Sequence, residues 1–183
     1  LQKLVILGSK SMAGHVIEDY FSKKEMYSIE SFDEKEIFDK NLVINKDILF
    51  KECDYLINCI RCLVQESEKV PHKAIIYNSY LPNFIGNYYK KKKTKIVNLS
   101  TDCVFLGDKG NYMEFDEPDG KSVYSRTKAL GETKNEKDIL IRTSYIGPNL
   151  KGYSEELFDW FLNQHGDVDG YVNSFWNGIT TLE

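Results

Sequence analysis

Apolar and polar residues follow two different periods along this chain, and the switches between them mark its elements. Lys3–Leu7 is a short apolar run stopped by Gly8, and Tyr55–Cys59, Lys95–Leu99 and Ile139–Arg142 are runs of the same kind. Tyr27–Ser31 is a further candidate strand. Between them, Met12–Phe21, the segment from about Lys73 to Tyr89, and Val123–Lys134 carry apolar residues at helical spacing, and Glu155–Asn163 reads as a short amphipathic helix. Pro82 falls inside the second of these helices and is expected to kink or restart it. Asp33–Lys51 is charged and poorly periodic, so no element is assigned there. Strand, turn, helix and strand within the first part of the chain make a βαβ unit, which implies parallel strands and a right-handed crossover. Continued alternation predicts a doubly wound α/β domain with a parallel sheet.

Composition agrees with that picture and removes several function classes. The chain has 183 residues, 42% of them hydrophobic, and a net charge of −4, enough for one well-buried domain. No apolar stretch approaches the roughly 20 residues needed to span a bilayer. The first residues run straight into a strand, so no signal peptide is expected and a cytoplasmic protein is the default. Lys90–Lys93 with Lys95 form the one basic cluster, read as the solvated end of a helix rather than a nucleic-acid patch. Of the four cysteines, Cys59 and Cys62 form a C-x-x-C, but no second pair supplies further ligands. They read as small apolar thiols near a strand end, with neither a disulfide framework nor a metal site expected.

Two segments carry candidate chemistry. Gly8 to Gly14 links the first strand to the first helix, where glycines allow a tight turn and the helix N-terminus presents free amides to a pyrophosphate. Gly8, Ser11, Met12 and Gly14 are the candidate contacts. Downstream, the strand at Lys95–Leu99 breaks at Ser100 and Thr101, and Tyr124 stands four positions before Lys128 at the start of a helix. That spacing places the phenol and the ammonium on one helical face. The Y-x-x-x-K pattern alone is weak, because Tyr20–Lys24, Tyr88–Lys92 and Tyr89–Lys93 also match it. Only Tyr124–Lys128 follows a strand ending in Ser-Thr-Asp. A hydroxyl, a phenol and an ammonium converging on one carbonyl make general acid–base machinery for ketone reduction or alcohol oxidation. The ammonium is expected to lower the phenol's pKa by favouring phenolate.

The motifs S-T-D-C-V-F-x-G, N-Y-x-E-x-D-x-P-D and Y-S-x-T-K-x-x-G-E, spanning Ser100–Gly107, Asn111–Asp119 and Tyr124–Glu132, resemble the extended short-chain dehydrogenase/reductase superfamily. Within it, the dTDP-4-dehydrorhamnose reductase-like branch of sugar-nucleotide enzymes is most similar. The resemblance extends to GSKSMAG, YLINCI, IRTSYIGP and NSFWNGITT. It implies a Rossmann fold over 1–150, with 151–183 the start of a C-terminal substrate-binding portion that lies mostly beyond residue 183. The stretch between Phe32 and Asp54 is also short for the branch, and the final Leu-Glu reads either as part of a family motif cut short or as an expression scar.

The same resemblance implies roles. Thr101 would bond the substrate's keto oxygen, with Ser100 as the alternative or a nicotinamide contact. Tyr124 would donate the proton, and Lys128 would hold the nicotinamide ribose. Ser11 replaces the middle glycine of the family's G-x-x-G-x-x-G. Asn58, Ile60 and Arg61 would flank the adenosine and diphosphate, with Arg61 standing where the branch has glycine, either to clamp phosphate or to crowd the site. Cys103 and Tyr145 would line the sugar pocket, and Trp176 and Asn177 would reach the sugar nucleotide, whereas Trp160 and Phe161 read as core. Asp116, Glu117 and Asp119 read as a solvated loop rather than a metal site. The acidic residue about twenty positions after the glycine turn is Glu30, with Asp33 beyond it, and no arginine lies nearby, which leans towards NADH over NADPH. The resulting expectation is NAD(P)H-dependent reduction of a 4-keto nucleotide sugar for polysaccharide biosynthesis. An epimerase and a non-catalytic sugar-nucleotide-binding protein are the alternatives, and a homodimer is one candidate assembly.

Overall fold

The structure, a computed structural model, describes residues 1–150 and 156–183. The expected boundary after residue 150, and Glu155 at the start of the expected last helix, adjoin or lie outside the described residues. Five parallel strands form the central sheet: β1 (Gln2–Leu7), β2 (Tyr27–Phe32), β3 (Tyr55–Asn58), β4 (Lys95–Leu99) and β5 (Ile139–Ile141). Their order is β2-β1-β3-β4-β5. After β2 the chain crosses from one side of β1 to the other, so the sheet reverses direction between β1 and β3. The carboxyl ends of those two strands are thus the topological switch point, where doubly wound sheets bind their ligands.

Each sheet face has its own apolar layer, as side chains alternating along a strand require. Leu4 and Ile6 join Ile57 and Cys59 under Ile17 and Phe21 of α1 (Met12–Ser22). Val5 and Leu7 join Leu56 and Ile96 on the opposite face, under Tyr77, Leu81, Ile85 and Tyr89. Those four belong to one long helical stretch: α5 (Pro71–Ala74), π-helical turns over Ile75–Tyr80, and α6 (Leu81–Tyr89). Pro82 does not break this stretch. It lacks the N–H that Asn78's carbonyl would accept in an α-helix, and its ring would crowd that carbonyl. The wide turns just upstream accommodate both demands.

The charged Asp33–Lys51 segment holds two single-turn helices, α2 (Glu34–Ile37) and α3 (Lys46–Leu49), with an isolated antiparallel bridge between Phe38 and Ile44. It adds no strand to the sheet, and β2 remains the edge. A helix without a clear periodic signature, α4 (Val64–Lys69), follows β3. The helix expected over Val123–Lys134 is shorter, α7 (Val123–Leu130), because Gly131 ends it. After β5, β6 (Tyr145–Ile146) pairs in parallel with β7 (Ile179–Thr180). The expected core role of Trp160 and Phe161 is corrected. In α8 (Leu157–Leu162), Phe161 is 61% exposed and Trp160 lies at the edge of exposure, while the buried residue is Asp159. Among the described residues, no helix is long and apolar enough to cross a membrane.

Candidate active site

The cleft is built from two kinds of structure, beginning with the turn after β1. Gly8 has φ +82°, a left-handed conformation that favours glycine, and its amide donates to Phe32's carbonyl at 2.8 Å. A side chain there would press on Cys59 and Ile60 of the β3 end at 3.1 Å. At Gly14 an added Cβ would sit 2.0 Å from Gly8's carbonyl oxygen. Glycine at both positions therefore brings α1 against the strand ends. Ser11 is the N-cap of α1, its hydroxyl accepting from Gly14's amide at 3.1 Å. The Met12 and Ala13 amides lie in the first turn, where intrahelical partners do not exist. This cradle fits a dinucleotide pyrophosphate, with Ser11 replacing one ligand-facing amide by a cap.

Asn58 shapes the facing side of the switch point. Its amide nitrogen donates to Asn98 at 2.8 Å, and its carbonyl oxygen accepts from the Ile60 amide at 3.2 Å. Asn98 continues the chain to Gly131's carbonyl, tying the β3 turn to the end of α7. Glu30 falls elsewhere. It lies opposite Val5, two residues before the end of a strand that runs one residue further than its sequence suggests, and it pairs with Lys51. Asp33 is the carboxylate at that strand end, buried, with Lys10 at 3.9 Å.

The catalytic candidates converge at the carboxyl end of β4. Ser122 caps α7, accepting from Ser125's amide at 3.0 Å, and this orients Tyr124 and Lys128 into the protein. Both are buried, as are Ser100 and Thr101. Lys128 donates to Leu99's carbonyl at 2.6 Å. Burial, then Arg61 and against the pull of Glu132 and Cys59, pushes its pKa down to about 8. The expected lowering of the Tyr124 pKa is corrected: burial raises it, outweighing Arg61 and a hydrogen bond with Thr101, which act in the opposite direction. The phenol is therefore protonated at neutral pH and suited to proton donation. Thr101 caps a 3-10 turn, accepting from Cys103's amide at 3.2 Å. Ser100 instead donates to Glu132 at 2.6 Å, which Arg142 holds in a buried ion pair.

Tyr145 joins this group through Arg61, whose guanidinium donates to the phenol at 2.5 Å and also pairs with Glu156. Cys103 is exposed beside Thr101. Half-exposed Trp176 folds its ring over Gly178, and Asn177 is exposed. Burial pushes Cys59 up to about 12 and Cys62 to about 11, so both remain thiols at neutral pH, free and buried as read from their spacing. Asp116 and Asp119 close their loop by bonding Lys109, Met113's amide and Leu106's amide.

Asn78 lacked any sequence signal. From the π-helical turns it accepts from Cys62's amide at 2.8 Å and donates to Cys62's carbonyl and to Thr127's hydroxyl. Ser79 bonds Thr127's carbonyl, and a Cβ at Gly131 would lie 1.8 Å from Asn78's carbonyl oxygen. These contacts lock α7 against the loop that carries Arg61.

A family model described as RmlD substrate binding domain matches residues 2–162. The spore coat polysaccharide biosynthesis protein SpsK of Bacillus subtilis (strain 168) is 41% identical over 96 residues, 45% of this chain and 31% of that protein. Among solved structures, a dTDP-4-dehydrorhamnose reductase from Clostridium acetobutylicum ATCC 824 matches with TM-score 0.68 at 28% identity, covering 81% of this chain and 56% of that one. The dTDP-4-dehydrorhamnose reductase of Bacillus anthracis str. Ames, solved in complex with NADP, matches in fold with TM-score 0.69 at 24% identity, over 81% and 57% of the two chains. The chain thus spans little more than half the length of these solved proteins.

Proposed function

The chain belongs to the RmlD substrate binding domain family, and on that premise we propose that it reduces a 4-keto nucleotide sugar at the expense of NAD(P)H. The observation that carries the reading is the burial of Thr101, Tyr124 and Lys128 together at the end of β4, beside a glycine turn shaped for a dinucleotide. Gly8, Ser11, Met12, Gly14, Asn58 and Ile60 would hold the dinucleotide, with Lys128 on its ribose. When bound, the reduced nicotinamide supplies the hydride. Thr101's hydroxyl orients the keto oxygen, and Tyr124, kept protonated by burial, gives that oxygen its proton. Tyr145 and Cys103 would line the sugar side, with Trp176 and Asn177 approaching the nucleotide. A role in polysaccharide assembly fits the likeness to SpsK.

The test is to incubate the chain with NADH or NADPH and dTDP-4-dehydrorhamnose, following loss of the reduced-nicotinamide absorbance and formation of the alcohol. Stoichiometric oxidation is the expected result. A changed sugar without net cofactor oxidation would assign an epimerase, and binding without turnover a non-catalytic sugar-nucleotide binder.

A further inference from the structure

One buried ion pair joins the pieces from which the candidate catalytic end is made. Glu132 follows α7, about two turns after Tyr124, and Arg142 follows β5. Their side chains are 2% and 11% exposed. The guanidinium grips the carboxylate with Nε at 2.9 Å from Oε1 and Nη2 at 2.6 Å from Oε2. The same carboxylate accepts from Ser100's hydroxyl at 2.6 Å, and Ser100's amide donates to Ile141's carbonyl at 2.7 Å. Thr101 is the next residue along. Arg142's remaining nitrogen, Nη1, donates to the carbonyls of Glu114 and Asp116 at 3.3 and 3.4 Å. Its guanidinium carbon also sits 4.9 Å from the centre of Phe105's ring, which stacks on Tyr112 at 4.3 Å. These contacts reach the 105–120 loop, which leads from Thr101's turn back to Ser122 at the start of α7. Gly120's amide closes that loop on Val104's carbonyl at 2.8 Å.

We propose that Glu132 and Arg142 are positioning residues, a clasp that holds Thr101 in register with Tyr124 and seats the 105–120 loop that joins their two elements. The proposal rests on the reductase reading. Thr101's hydroxyl has to meet the keto oxygen from the end of β4 while Tyr124's phenol reaches it from α7, so the two elements must keep one separation. The Ser100–Glu132 bond fixes that separation next to Thr101. Asn98, two residues earlier on β4, fixes it again by donating to Gly131's carbonyl at 3.4 Å. Neither Glu132 nor Arg142 is given a proton to move.

Stability alone does not account for such a pair. Taking two charges out of water offsets most of their attraction, and apolar replacements are often equally stable. What the pair supplies is direction. A guanidinium fork meets a carboxylate in one plane and leaves its outer N–H groups aimed at fixed points. Here those points are the two loop carbonyls. Ser100 has a single hydroxyl proton and directs it at Glu132, so it serves the clasp and is not the donor to a keto oxygen.

The experiment compares R142K and S100A with the parent in three measurements: NADH or NADPH oxidation with dTDP-4-dehydrorhamnose, dinucleotide binding by calorimetry, and thermal denaturation. R142K keeps Glu132 paired but replaces the fork by a point charge, which cannot hold the carboxylate and both loop carbonyls. S100A cuts only the link to β4, and it decides alone should R142K fail to fold. In both variants kcat and kcat/KM should fall together by about tenfold or more, as a small misplacement of the reacting groups produces. R142K should lose at least as much as S100A, because it also loosens the loop. Dinucleotide affinity should stay as in the parent, since the Gly8–Gly14 turn lies elsewhere. Parent kcat in the folded variants, even with a lowered Tm, would overturn the proposal and leave the pair a purely structural one. Lost dinucleotide affinity in S100A would overturn it too, by making Ser100 a ligand contact. An inactive parent would instead overturn the reductase reading, and the clasp with it.

Discussion

The two ends of the cleft are made specific by different means. At the proposed dinucleotide end the backbone does the shaping: Gly8 turns where a side chain is disfavoured, and Gly14 leaves no room for a Cβ beneath α1. At the proposed catalytic end the backbone is ordinary, and side-chain charge and burial decide: Tyr124 and Lys128 are buried, and Arg61 bonds Tyr145. Changes of volume should therefore damage the first end, and changes of charge or proton content the second.

Four measurements press on that contrast. The largest effect is expected from Tyr124→Phe, which keeps the ring but removes the proton donor, so kcat should fall by roughly 10² or more. Calorimetry should find dinucleotide binding intact; near-normal turnover would remove Tyr124 from the mechanism. Next, Gly14→Val forces a branched side chain towards Gly8's carbonyl and should weaken NAD(P)H binding by about tenfold or more, equivalent to about 1.4 kcal/mol. A folded variant that bound cofactor like the parent would reduce the turn to an ordinary strand–helix connection.

Third, Lys128 predicts opposite trends in stability and binding. Its folded pKa of about 8 lies below its ordinary 10.5, so between those values the unfolded chain binds more protons and Lys128's contribution to stability rises with pH. Cofactor affinity should fall across the same rise, as the ammonium loses its charge. Denaturation and binding curves in parallel check the crossing, and Lys128→Met should abolish both trends. The smallest effect is expected at Glu30. Its ion pair with Lys51 is half-exposed, a setting where such pairs contribute about 1 kcal/mol or less. Glu30→Ala should alter NADH affinity only a few-fold, and less than Asp33→Ala. The reverse order would favour Glu30 over Asp33 as the ribose contact.

The contrast also explains what could be read from sequence. Gly8, Gly14 and the Tyr124–Lys128 spacing are local patterns, and the parallel sheet follows from local periodicity. Arg61's setting is not local, since its partners Tyr145 and Glu156 lie 84 and 95 residues away. Asn78 was silent because π-helical turns do not follow the 3.6-residue period on which helical faces are read. Counting points to Glu30, whereas β2 continues to Phe32 and places Asp33 at the strand end. Trp160 and Phe161 have the spacing of a core helix, yet Phe161 is 61% exposed and Trp160 lies at the edge of exposure. Periodicity records which residues share a face, and not whether another element meets it.

The π-helical turns over Ile75–Tyr80 give the long helical stretch two phases. An α-helix advances about 100° per residue, so removing one residue from that segment would rotate one half of the stretch against the other by that amount. If the Tyr89 half kept its seat on the sheet, Pro71–Ala74 would turn away from its neighbours; if the Pro71 half kept its seat, Ile85 and Tyr89 would leave the core. Either way, Asn78 could no longer reach Cys62 and Thr127 together. The extra width is thus a spacer between two otherwise incompatible alignments, one serving the sheet and the other α7.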